Sequence, residues 1–120
     1  CVASQLAQPM VHPWRDDASL PEKCSAILVG PGLAAENLGP AVKNRLRSLW
    51  QDSPLPVIAD ASALNWLPRG PVRPEVVRVI TPHPGEAARM LGVPTPRIQE
   101  DRPAALRQLS SHWGRCMVVL

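Results

Sequence analysis

The residues best able to do chemistry fall in one short stretch, Thr81-Pro82-His83-Pro84-Gly85-Glu86. An imidazole and a carboxylate three positions apart can form an acid–base or ligand-positioning pair. Two prolines stiffen the turn that carries His83, and Glu86 enters a short helix that Gly92 can close in a left-handed cap. A purely structural role for His83 is the alternative. Two further places share this promise. In Gly30-Pro31-Gly32, glycines straight after a strand let backbone N–H groups approach a ligand, or simply make a turn. Asp60 ends a second strand, where a carboxylate points into the crevice in which α/β sheets bind ligands. It can equally cap a helix starting near Ser62. Asn65, one helical turn further, faces the same crevice.

Other chemistries are excluded by the same inspection. There is no G-x-S-x-G nucleophile elbow, no Walker lysine, and no third glycine of a dinucleotide fingerprint after Gly32. His12, His83 and His112 lack metal-ligand spacing, and His12 reads as a loop or packing histidine. Cys1, Cys24 and Cys116 contain no CxxC, so neither a zinc site nor a disulfide framework is expected. The formal charge of +3 comes from 13 basic and 10 acidic residues with no long basic run. That is a scattered arginine surface rather than a nucleic-acid face, and its mild positive potential suits an anionic nucleotide. No apolar run approaches the ~18 residues of a membrane span. A cytoplasmic protein with no nucleic-acid or membrane partner is expected.

The elements that must hold these residues alternate. Short apolar runs at residues 25–29, 56–59, 76–80 and 116–120 read as strands covered on both faces. A helix opened by Gly39-Pro40 shows Ala41, Val42, Leu46, Leu49 and Trp50 on one face, and Asp52-Ser53-Pro54 ends it. A second long helix is capped by Asp101, striped by Ala105, Leu106, Leu109 and Trp113, and stopped by Gly114. Residues 2–6 suggest a further strand, 9–13 a proline-bracketed extended stretch, and 68–74 a surface loop. Alternation of this kind predicts an α/β domain, a mostly parallel sheet between helix layers. Gly30–Gly32, Asp60 and Thr81–Glu86 all follow strand ends and should gather along one sheet edge. With 45% apolar and 19% charged residues, the chain can build one core, spanning 1–120 as a single partial domain. Its ends read as cuts through a longer protein.

Three stretches carry a resemblance to a known family. Ile27-Leu28-Val29-Gly30-Pro31-Gly32-Leu33, Val57-Ile58-Ala59-Asp60-Ala61-Ser62-Ala63-Leu64-Asn65 and Thr81-Pro82-His83-Pro84-Gly85-Glu86 resemble motifs of the ADP-dependent NAD(P)H-hydrate dehydratases, in order and spacing. These enzymes are members of the ribokinase-like superfamily. Pro9-Met10-Val11-His12 is similar to a weaker upstream segment, and Val118-Val119-Leu120 to the strand before the family's lysine-glycine nucleotide loop.

The resemblance implies a ribokinase-like fold and a metabolite-repair lyase. Such an enzyme removes water from (6S)-NADHX or NADPHX to restore NADH or NADPH, with ADP or ATP as co-substrate and Mg2+ as a candidate accompanying ion. A homo-oligomer is expected. By the same resemblance, the loop at Gly32 and the turn at His83 contact the hydrated nicotinamide dinucleotide. Asp60 and Asn65 line that pocket, and Glu86 takes the place of the superfamily's acidic residue near phosphate and metal. The family's glycine-threonine-glycine-aspartate motif, with the catalytic aspartate, is expected beyond Leu120, so the 120 residues alone should be inactive. Two positions depart from the pattern: Ala34 replaces a glycine and Ser62 an aspartate. They point towards a rival, a non-catalytic nucleotide-binding remnant. A ribokinase-like small-molecule kinase for a sugar or vitamin precursor is the other rival.

Overall fold

The computed structural model describes residues 24–30 and 39–120. The expectations for residues 2–6 and 9–13, His12, Gly32 and Ala34 lie outside the described residues. Four strands, β1 (Ile27–Val29), β2 (Val57–Ala59), β3 (Arg78–Ile80) and β4 (Met117–Val118), form one sheet in the order β1-β2-β3-β4. Every pairing is parallel. The β-branched residues Ile27, Val29, Val57, Ile58, Val79 and Ile80 suit such a buried, pleated surface.

Helix α1 (Pro40–Asp52) starts with proline in its first turn and buries Leu46, Leu49 and Trp50, as its spacing predicts. Helices α2 (Pro84–Leu91) and α4 (Arg102–His112) also appear where expected. The Asp101 cap is real, with its Oδ1 accepting from the Ala104 N–H at 3.1 Å. One local expectation is corrected. The segment after Asp60 forms a five-residue 3-10 helix, Ala61–Asn65, because Pro68 disfavours helical backbone at Leu67 and leaves too few residues for an α-helix. A further helix, α3 (Thr95–Glu100), forms between α2 and α4, where the sequence offers no apolar stripe. Pro96 falls in the first turn, where its missing N–H costs nothing.

The layer arrangement follows from the strand order. Right-handed crossovers between strands added in sequence place every connecting helix on the same face. Burial agrees. Ile27, Val57, Ala59, Arg78 and Ile80 are buried in a core with Trp50, Ala87, Ile98, Leu109 and Trp113. The register lines up Leu28, Ile58, Val79 and Met117 across the opposite face. There Leu28 and Met117 are 63% and 57% exposed. Among the described residues, the helices thus form one of the two layers that the apolar strands predict. Among the described residues, no helix is long and apolar enough to cross a membrane.

Arg78 is the one charged side chain among the described residues that lies deep in this core, at 2% exposure. Its guanidinium donates to the carbonyls of Leu49, Trp50, Ser53, Leu55 and Val77. Leu49 and Trp50 belong to the last turn of α1 and Ser53 follows it directly, a turn with orphan carbonyls and no basic residue of its own. Arg78 thus satisfies the C-terminus of α1 from the neighbouring strand. Burial pushes its pKa down from the usual arginine value, and the Asp52 carboxylate pulls it partly back.

Candidate functional site at the carboxyl edge of the sheet

The ladder itself builds the site. Val29 pairs with Ala59, Ala59 with Ile80, and Ile80 with Val118, so the strands end nearly in line. The next backbone bonds run Asp60 N–H to Val29 O at 3.0 Å, Thr81 N–H to Ala59 O at 3.2 Å and Val119 N–H to Ile80 O at 2.9 Å. Gly30, Asp60, Thr81 and Val119 are therefore adjacent along one edge, as the order of the elements predicts. Gly30 must be glycine. Its φ is +127°, and a Cβ there would stand 1.6 Å from the Asp60 carbonyl oxygen.

Asp60 precedes the 3-10 helix but makes no side-chain cap bond. Of its two sequence readings, the capping one is set aside, and the carboxylate is left at the edge, half-buried. The Thr81–Glu86 turn sits beside it. Pro82 is fully buried and Pro84 opens α2, so His83 is fixed from both sides. His83 is the N-cap residue of α2. Its Nδ1 accepts from the Gly85 N–H at 3.1 Å and the Glu86 N–H at 3.3 Å. Glu86 Oε1 accepts the His83 N–H at 3.1 Å, which completes a reciprocal capping box. The Glu86 side chain is 12% exposed and the His83 side chain 66%, with Nε2 3.4 Å from Glu86 Oε1. His83 thus has the structural role, capping the helix through Nδ1, while its side chain stays 66% exposed.

Asn65 is placed differently. It lines a cavity of about 280 Å³ with Arg69, Arg89, Met90 and Trp113, between the 3-10 helix and α2, which His83 and Glu86 do not line. A larger cavity, of about 500 Å³, lies at the other end of the strands. Residues 70–76, before β3, and Gly114 and Arg115, before β4, form its wall. Size and chemistry do not coincide here, and the candidate site is defined by the edge residues. The described residues hold no group of three or more His, Cys, Asp or Glu side chains that could grip a metal ion. Carboxylates are offered singly, by Asp60 and Glu86, and Glu86 already has one oxygen in the cap.

The family model for NAD(P)H-hydrate dehydratase matches residues 1–120. The bifunctional NAD(P)H-hydrate repair enzyme of Vibrio cholerae is 40% identical over 98 residues, covering 82% of this chain and 19% of that one. The ADP-dependent (S)-NAD(P)H-hydrate dehydratase of Neisseria meningitidis is 33% identical over 109 residues, covering 87% and 36%. Among solved structures, the ADP/ATP-dependent NAD(P)H-hydrate dehydratase of Bacillus subtilis, co-crystallized with ATP/Mg2+ and soaked with CoA, superposes with a TM-score of 0.68. It is 33% identical and covers 88% of this chain and 36% of that one. The chain thus spans 19% to 36% of the length of these relatives.

Proposed function

The chain belongs to the NAD(P)H-hydrate dehydratase family, and from that premise we propose that the protein it comes from is a metabolite-repair lyase. Its reaction is loss of water from the hydrated nicotinamide ring of (6S)-NADHX or NADPHX, restoring NADH or NADPH, with ADP or ATP as co-substrate. The observation that carries this reading is the capped Thr81–Glu86 turn beside Asp60 on the carboxyl edge of a parallel sheet. Ligands in open α/β sheets bind outside that edge. The names of the relatives in Vibrio, Neisseria and Bacillus supply the substrate and the nucleotide.

In this reading His83 and the loop at Gly32 contact the dinucleotide, and Asp60 lines the same pocket. Glu86 holds the turn through the His83 N–H. Asn65 contributes from the groove beside α2 rather than from the edge. Mg2+, when it accompanies the nucleotide, would draw on these residues for single carboxylates at most. Proton transfer falls to an aspartate expected beyond Leu120.

The test is an assay of the complete protein with the hydrate and ADP, followed by absorbance of the reduced nicotinamide. Hydrate-dependent and ADP-dependent recovery of that absorbance is expected, and the 120-residue chain alone should give none. Phosphorylation of a small alcohol without hydrate repair would replace this reading with a kinase. Nucleotide binding without turnover would replace it with a binding module.

A further inference from the structure

We infer that His83 serves this protein as a neutral hydrogen-bond donor through Nε2–H, locked in that tautomer by the α2 cap, and not as a proton-accepting base. Backbone amides only donate, and two of them, from Gly85 and Glu86, point at Nδ1 from 3.1 and 3.3 Å. Nδ1 must therefore present its lone pair. A neutral imidazole with a bare Nδ1 carries its proton on Nε2. The other side of the ring agrees, because Glu86 Oε1, an acceptor, lies 3.4 Å from Nε2. That contact is too long to saturate the donor. With the side chain 66% exposed, Nε2–H is left available at the sheet edge.

The surrounding residues enforce this state. Pro84 opens the helix without an N–H of its own. Gly85 leaves room for the ring, since a Cβ there would lie 3.0 Å from His83 Cε1 and 3.2 Å from Nδ1. Glu86 closes the box from N3. For Nε2 to act as a base, the proton would have to sit on Nδ1, where it would face two N–H donors and undo the cap. The ring is thus a fixed donor for an acceptor oxygen of the ligand: a hydroxyl, a carbonyl or a phosphate oxygen. That last step rests on the proposed ligand site at the carboxyl edge, whereas the tautomer does not.

The experiment separates the two edges of the ring in the complete protein. Nitrogen-15 histidine spectra, with His83 assigned by its loss in a variant, should show Nδ1 unprotonated and Nε2 protonated. A protonated Nδ1, or two nitrogens averaged by exchange, would overturn the inference. Two substitutions complete the test. His83→Asn keeps an acceptor at the Nδ1 position and removes the distal donor. It should leave the melting temperature close to that of the parent and raise KM for the hydrate about tenfold or more. His83→Gln keeps a distal donor and loses the cap, so it should lower the melting temperature while KM rises less. If His83→Asn instead lowered kcat by about a hundredfold or more and removed a limb of its pH profile, His83 would be a base and the inference wrong. A complete protein without hydrate turnover would sink the functional reading alone, because the spectra still report the tautomer.

Discussion

A methyl group on Gly30 would stand 1.6 Å from the carbonyl oxygen of Asp60, on a backbone with φ at +127°. Neither the strand end nor Asp60 can yield without breaking the ladder, so Gly30→Ala should lower stability by about 3 kcal/mol or more in denaturant unfolding. Arg78 makes the opposite point: a residue with no visible role in the sequence holds the core together. An arginine inside a β-branched run reads as solvent-facing, and only the fold brings the carbonyls of residues 49, 50, 53 and 55 around it. Leu49 O keeps the Ser53 N–H, but Arg78→Met leaves the Trp50 and Ser53 carbonyls buried without this donor and should cost on the order of 3 kcal/mol. Cys116 adds a pH dependence. Burial raises its thiol pKa from 9.0 to about 11, so folding favours the neutral thiol. The resulting stability is complete below pH 9 and is lost as pH rises to about 11. It amounts to about 3 kcal/mol at most. Unfolding measured across that window should show the loss, and Cys116→Ala should flatten it.

At the scale of elements, the legible features are those whose signal is local. The α1 stripe, the Asp101 cap and the Gly92 stop depend on residue type and spacing within one or two turns. The structure has each of them in place. Gly92 closes α2 at φ +69° with open space around the Cβ position, so only the backbone conformation demands glycine there. Gly92→Ala should therefore lower stability by about 1 kcal/mol, and Gly92→Asn by less, because asparagine tolerates the left-handed region. Equal losses for both would mean that something other than φ fixes this position. What the sequence left ambiguous was how one residue divides its atoms. His83 and Glu86 were legible as a pair of chemical groups, but not as a capping box. Histidine is not a usual N-cap, and the box closes only once Gly85 lets the ring lie against the helix start. Asn65 likewise followed Asp60 at helical spacing. The tighter 3-10 geometry turned it towards the Arg69–Arg89 groove instead.

For the whole molecule, the main consequence of topology is a sheet face that the described residues leave uncovered. Strands added in the order β1 to β4 put their helices on one side, so this stretch contains no reversal of strand order. The opposite face is nevertheless written as a core: Leu28, Ile58, Val79 and Met117 in one row, with Val119 beyond and 62% exposed. Strand residues apolar on both faces belong to a sheet covered on both faces. The sequence carried that information, and the described residues supply only half of the cover. The relatives that this chain matches are roughly two and a half to four times its length, since the aligned residues make up 36% and 19% of them. In the complete protein, the remainder is expected to lie on this row. Leu28→Lys and Met117→Lys in the complete protein should then each lower stability by about 2 kcal/mol or more, although both residues are more than half exposed here. A lysine on a face open to water would change stability by no more than about 0.5 kcal/mol. A difference of that size between the two cases is readily read from denaturant midpoints. Silent substitutions would mean that the row stays uncovered in the complete protein. Costly ones would make it the seam along which the rest of the fold closes over the sheet.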